Sequence, residues 1–255
     1  MFSKTNLVRT LLVINVFFIT SYFYFQNELF GILAILFSAL SLISSVIYEK
    51  KIFNSNLFLF LSILPIYLMV PLYQNPMFAT LVITLIISAL MYGKQVFGLL
   101  DFGKIKNIKI WFAIIFVSAI ASTSLVLWGL WTDNLGVGAA AIQEFKQHSV
   151  ILILVLMPVL SLVNAIVEET VFRGIIQTEL SAIFNIYIAI FLQAFLFAAF
   201  HYAGGFSNGV MGFAMTFVYA CALGVMRFKV KGLLAPIITH WMADLTILVF
   251  LWVYF

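Results

Sequence analysis

Charge is what this sequence lacks most. Of its 255 residues only 9% are Asp, Glu, Lys or Arg, and 65% are hydrophobic. A soluble domain carries charge on about a quarter of its residues, so a water-exposed globular fold is excluded. Polar and apolar residues do not alternate either. The apolar runs are continuous, which excludes a transmembrane β-barrel. Cysteine is reduced to Cys221, which excludes an internal disulfide and a thiolate metal cluster. In an apolar helix Cys221 reads as a small apolar residue. Internal repeats, low-complexity tracts and soluble domains are also missing. The net charge of +4 and the pI of about 9.1 imply no nucleic-acid partner, because Lys and Arg in a membrane protein mainly record topology.

What is present is a mean hydropathy of +1.18, which defines an all-α polytopic membrane protein. A span needs about 20 apolar residues. This predicts nine transmembrane helices, at roughly 6–25, 29–48, 55–74, 77–92, 110–131, 150–170, 185–204, 209–227 and 233–254. Lys4 and Arg9 ahead of an apolar run look like the start of a signal peptide. Bulky "YFYFQNELF" stands where the small residues of a cleavage site belong, so the first helix is expected to be retained.

Basic residues fall on every second connection. They are Lys4 and Arg9; Lys50 and Lys51; Lys94, Lys104, Lys106 and Lys109; Arg173; and Arg227, Lys229 and Lys231. The alternate connections hold only Lys146. This pattern puts the N-terminus in the cytoplasm and the C-terminus outside, in a multi-pass protein of the cell membrane. The 132–149 connection also carries Asp133, Glu144 and His148, and its "AAAIQEFKQH" is expected to form a short helix on the outer surface. His148 reads as a solvated loop residue.

Against this background, "NAIVEETVFRGII" (164–176) puts two glutamates and an arginine beside uncharged runs. An ionisable group at membrane depth costs a few kcal/mol even on the lenient insertion scales. Such groups face a protein interior or a water-filled cavity. Glu169 and Arg173 are four apart and share a helix face. Glu168 lies about 100° around the helix, on the face of Asn164 and Phe172. The arginine therefore neutralises one glutamate and leaves the other free to act as a general base. Phe197 and His201 repeat the four-residue spacing, with Gly204 and Gly205 just beyond. His240 and Asp244 repeat it again, with Pro236 one turn before. A glutamate and two histidines on three helices can converge on one water or one metal ion. The blander alternative is polar glue between helices.

The three clusters resemble a known family. Glu168-Glu169-Thr-Val-Phe-Arg173 matches the EExxxR signature of the CAAX-protease and bacteriocin-processing (CPBP, or Abi) intramembrane proteases. Phe197-Ala-Ala-Phe-His201 matches its FxxxH motif. His240-Trp-Met-Ala-Asp244 matches the third motif, commonly HxxxN and here HxxxD. The motifs cover about residues 165–245, in the expected order, and the first five spans add nothing specific.

The resemblance implies transmembrane helices around a conical cavity open to the cytosol, residues 132–255 as the protease core, and 1–131 as helices of unassigned role. It implies hydrolysis of a peptide bond in a membrane-associated or lipidated protein or peptide. Glu168 would activate water, with His201 beside it. His240 and Asp244 would stabilise the oxyanion or position substrate, and Glu169 and Arg173 would support the first helix. The resemblance leaves open a divalent metal such as zinc, held by Glu168, His201 and His240. An ionised Asp244 can only accept hydrogen bonds, unlike the commoner asparagine. This points to a partner for His240, or a metal ligand, rather than an oxyanion donor. The rival readings are a catalytically silent CPBP-fold scaffold or bacteriocin-immunity protein, and a proton-coupled transporter.

The expected spans contain a conflict. Glu168 falls near the cytoplasmic end of span six, and His201 near the outer end of span seven. Three arrangements resolve it: the Glu168 helix continues through "IIQTELSAIF", span seven starts in the cytoplasm, or Pro158 bends span six.

Overall fold

The computed structural model describes residues 4–25, 27–48, 52–67, scattered positions between 82 and 90, 101–132, 146–147, 149–203 and 209–254. Among these there is no strand. The helices are α1 (Lys4–Phe25), α2 (Glu28–Tyr48), α3 (Phe53–Tyr67), α4 (Ile108–Thr132), α5 (Val150–Ile183), α6 (Ile186–Ala203), α7 (Gly209–Val230) and α8 (Leu234–Tyr254). The polytopic helical class is as the composition predicts.

The span count is not. Among the described residues five helices, α2, α4, α5, α7 and α8, are long and apolar enough to cross a membrane. In α1 and α6 the apolar stretches are shorter, Asn6–Tyr22 and Ile186–Tyr202. The third expected span, 55–74, is described as helix only over α3. Those 15 residues reach about 22 Å at 1.5 Å per residue, less than the hydrocarbon thickness of about 30 Å. Span 77–92 and the "AAAIQEFKQH" segment with His148 lie outside the described residues or nearly so, as do Gly204 and Gly205.

Helix α5 resolves the conflict over Glu168. It runs on through "IIQTELSAI" for 34 residues, and Pro158 lies inside it. Between its α-helical parts, Thr170–Ile176 forms wider π-helical turns, a rare geometry that gathers at functional sites. Arg173 lies in this segment and is fully buried. It is therefore not the loop cation that the topology count took it for. The α5–α6 connection consists of Phe184 and Asn185, whose side chain accepts from the Tyr187 and Ile188 amides to open α6. Glu168 is 15 residues before Ile183, and His201 is 15 residues after Ile186. In an antiparallel pair both stand about 22 Å from the turn, so the two motifs meet.

Helix α8 packs on α4 and α5, and α6 packs on α7 and α1. The α7–α8 turn is pinned by residues 101–103. The Leu233 and Leu234 amides donate to the carbonyls of Asp101 and Phe102. Gly103 takes φ +63° there, and a Cβ on Gly232 would collide with its backbone. Helix α3 joins α5 through Glu179. That carboxylate accepts from the Asn54 amide and side chain at 3.3 and 2.7 Å, and from the Ser55 amide and hydroxyl at 2.7 and 2.6 Å. A carboxylate on the first turn of α3 meets free amides and the positive end of the helix dipole.

Candidate active site

The three motif clusters, from α5, α6 and α8, meet inside the bundle. Glu169 Oε1 accepts from Arg173 Nη1 at 2.7 Å, and both side chains are buried. The same oxygen lies 2.7 Å from His240 Nδ1. A carboxylate paired with a guanidinium is an acceptor only, so Nδ1 carries the hydrogen and Nε2 is directed elsewhere. His240 Nε2 lies 3.4 Å from Asp244 Oδ1 and 3.8 Å from Glu168 Oε2.

His201 is oriented in the same way. Its Nδ1 lies 3.0 Å from the Phe197 carbonyl, which can only accept. Its Nε2 therefore points to Glu168 Oε2, 3.7 Å away. Glu168 Oε2 is buried with no hydrogen-bond partner. One carboxylate oxygen thus faces two imidazole Nε2 atoms beyond direct hydrogen-bond range, a separation at which a shared water is the natural third party.

Aromatic rings hold these groups. Phe197 lies under the Arg173 guanidinium at 4.4 Å, packs on His201 at 4.2 Å with the rings tilted by 30°, and meets His240 edge-on at 5.8 Å. Phe172 meets Phe197 edge-on at 4.9 Å. Tyr219 on α7 meets His240 edge-on at 6.1 Å, and its hydroxyl donates to the Thr239 carbonyl at 3.3 Å. On its other side Tyr219 lines an apolar groove of about 410 Å³ between α4 and α7, with Ala121, Ser124, Ala214 and Ala222. Tyr219 is thus the wall between that groove and the site. Below Arg173, Gln177 and Gln193 donate to the Gly224 and Ala220 carbonyls of α7 at 3.0 and 3.2 Å.

All six residues singled out in the sequence are brought together, with two differences in pairing. Glu169 binds His240 as well as Arg173. Asp244 is shared, its Oδ2 accepting from Asn164 Nδ2 at 3.0 Å. The bond from Glu169 to His240 joins positions 71 apart, and no local spacing announces it. Tyr219, Gln177 and Gln193 went unremarked. Their signal was a polar atom in an otherwise apolar helix. Among the described residues, no group of three or more His, Cys, Asp or Glu side chains is arranged to hold a metal ion.

The fold defines an all-helical polytopic membrane protein. Residues 150–246, from α5 into α8, match the family model described as type II CAAX prenyl endopeptidase Rce1-like. No curated protein and no solved structure matches the chain.

Proposed function

We propose that the protein is an intramembrane endopeptidase in which Glu168 activates the attacking water. The observation that carries this reading is the buried, unpartnered Glu168 Oε2 facing the Nε2 atoms of His201 and His240 at 3.7 and 3.8 Å. A water beside that oxygen gives one proton to Glu168 as its oxygen adds to the scissile carbonyl carbon. His201 Nε2 accepts from the second O–H and sets the direction of attack. The developing oxyanion needs a donor. His240 lies between the carboxylates of Glu169 and Asp244, which supply counter-charge to an imidazolium, and its Nε2–H donates to the oxyanion. The protonated Glu168 then returns the proton to the leaving amine, and the C–N bond breaks.

The substrate class is a membrane-associated or lipidated protein or peptide. Residues 132–255 form the catalytic core, in a multi-pass protein of the cell membrane with a cytoplasmic N-terminus. Glu169 and Arg173 are supporting residues: they hold His240 and the π-helical turn. The deciding experiment is Glu168→Gln, compared with the parent on membrane peptide reporters and by membrane proteomics. Equal accumulation with loss of cleavage supports the reading. A full-length variant that cleaves as well as the parent refutes it.

A further inference from the structure

The place of His240 in the bundle decides whether its Nε2 can reach a reacting carbonyl. Glu169 on α5 lies 2.7 Å from its Nδ1. Phe197 on α6 and Tyr219 on α7 meet its ring edge-on, with interplanar angles of 71° and 87°. These contacts set the imidazole. The height of α8 in the bundle needs its own anchor, because a slip by one residue moves His240 by about 1.5 Å.

That anchor is the Thr239 carbonyl. It accepts from the Ser118 hydroxyl of α4 at 3.3 Å and from the Tyr219 hydroxyl of α7 at 3.3 Å. The same carbonyl and the His240 N–H belong to one planar peptide unit, so fixing the oxygen fixes the backbone of His240. Ser118 is itself buried. The α7 backbone is held beside Tyr219, since the Ala220 carbonyl accepts from Gln193 on α6 at 3.2 Å and from Arg173 on α5 at 3.4 Å. Tyr219 thus bridges a fixed point on α7 and a fixed point on α8. Its hydroxyl matters as well as its ring. The apolar groove of about 410 Å³ behind the ring leaves it room to turn away from His240, and the bond to Thr239 holds it in place.

From this convergence, and resting on the protease reading above, we propose that Ser118 and Tyr219 are positioning residues for His240. They touch no reacting atom. Both hold the peptide of His240, and Tyr219 also walls its imidazole, so that Nε2 is in place before the oxyanion forms. A displacement of about 1 Å at such a group can cost about 10²-fold in rate. Substrate binding is untouched, because the donor acts only as charge develops in the transition state. The two hydroxyls share one acceptor, so either alone keeps α8 in register.

Tyr219→Phe keeps the ring and Ser118→Ala removes a single oxygen, so both variants and their combination are expected to fold. Steady-state kinetics on a membrane peptide reporter compare them with the parent. Each single change is expected to lower kcat by less than about fivefold and the pair by about 10²-fold, more than the product of the singles. KM and melting temperature should stay near the parent's. A merely structural role would instead lower the melting temperature and the folded yield, leaving kcat per folded molecule alone. Nitrogen NMR of histidine-labelled protein in bilayers gives a second reading that needs no cleavage. The His240 signals, identified by their loss in His240→Gln, are expected to shift in the double variant. The proposal is overturned if kcat of the double variant matches the parent's, if the loss appears in KM or follows the melting temperature, or if the His240 signals do not move. A parent that cleaves no reporter defeats the protease reading alone, and the His240 signals still decide whether the two hydroxyls hold the ring.

Discussion

At the residue scale, the two adjacent glutamates do different work. Each keeps one buried oxygen without a hydrogen-bond partner, but Glu169 uses its other oxygen for both Arg173 and His240, whereas Glu168 Oε2 faces the Nε2 atoms of His201 and His240. Glu168→Gln keeps shape and polarity but removes the proposed base. Cleavage is expected to fall by at least about 10²-fold, the low end for general-base catalysis, with membrane abundance unchanged. Glu169→Gln is expected to lose both folding stability and activity. Removing one partner of a buried ion pair costs about 3–5 kcal/mol, and the same change frees His240 Nδ1. Thermal denaturation in detergent beside reporter cleavage separates the two variants. Asp244 holds Asn164 and approaches His240. Asp244→Asn keeps an acceptor and should retain most activity, whereas Asp244→Ala strands Asn164 Nδ2 and should be much weaker. Equal activities of asparagine and alanine variants would remove Asp244 from the site.

These residues were legible because charge is so scarce in the sequence that each buried ionisable group stands out. Four-residue spacing then sorted them onto faces. The tie from Glu169 to His240 was not legible, since tertiary pairing between α5 and α8 carries no mark in either helix alone. Sequence also assigned Asp244 to His240, whereas the structure shares it with Asn164.

At the element scale, hydropathy ended span six near residue 170 because Gln177, Thr178, Glu179 and Ser181 break the apolar run. The helix continues because other helices, not lipid, surround those residues. Gln177 donates to the Gly224 carbonyl and Glu179 caps α3. A hydropathy window measures affinity for lipid and is blind to polar side chains satisfied by protein. The π-helical turn was equally invisible, since nothing in "TVFRGII" requires it. The join of α5 to α7 depends on Gly224. A Cβ there would lie 2.9 Å from Gln193 Nε2 and 3.0 Å from Gln177 Oε1. Both amides are themselves buried and would have to shift. Gly224→Ala is expected to destabilise by about 1–3 kcal/mol, the usual cost of overpacking, read as a lower melting temperature. An unchanged melting temperature would mean that the two glutamines do not hold α7 in place.

At the scale of the whole molecule, the helical class was legible from composition and the nine-span count was not: among the described residues five helices are long and apolar enough to span, and most of 68–100 lies outside the described residues. Sequence also gave α1–α3 no role. Packing gives them one, since α1 covers α6, and α3 covers the π-helical turn. The polar joint in this layer is Glu179, which receives four donors from Asn54 and Ser55. In Glu179→Gln one of its two oxygens becomes an amide nitrogen, which can only donate. It would then face donors on one side of the joint, and the negative charge at the start of α3 would be lost. Unmade bonds at a buried group cost about 1–3 kcal/mol, so the melting temperature is expected to fall and α3 to become more susceptible to proteolysis. Activity should respond differently. Glu179 is 11 residues from Glu168 along α5, about 16 Å at 1.5 Å per residue, and no bond described here links the two groups. Cleavage per folded molecule, measured well below the melting temperature, is therefore expected to match the parent. If it falls while stability holds, the N-terminal layer acts on the catalytic groups through α5 and is more than a clamp on the protease core.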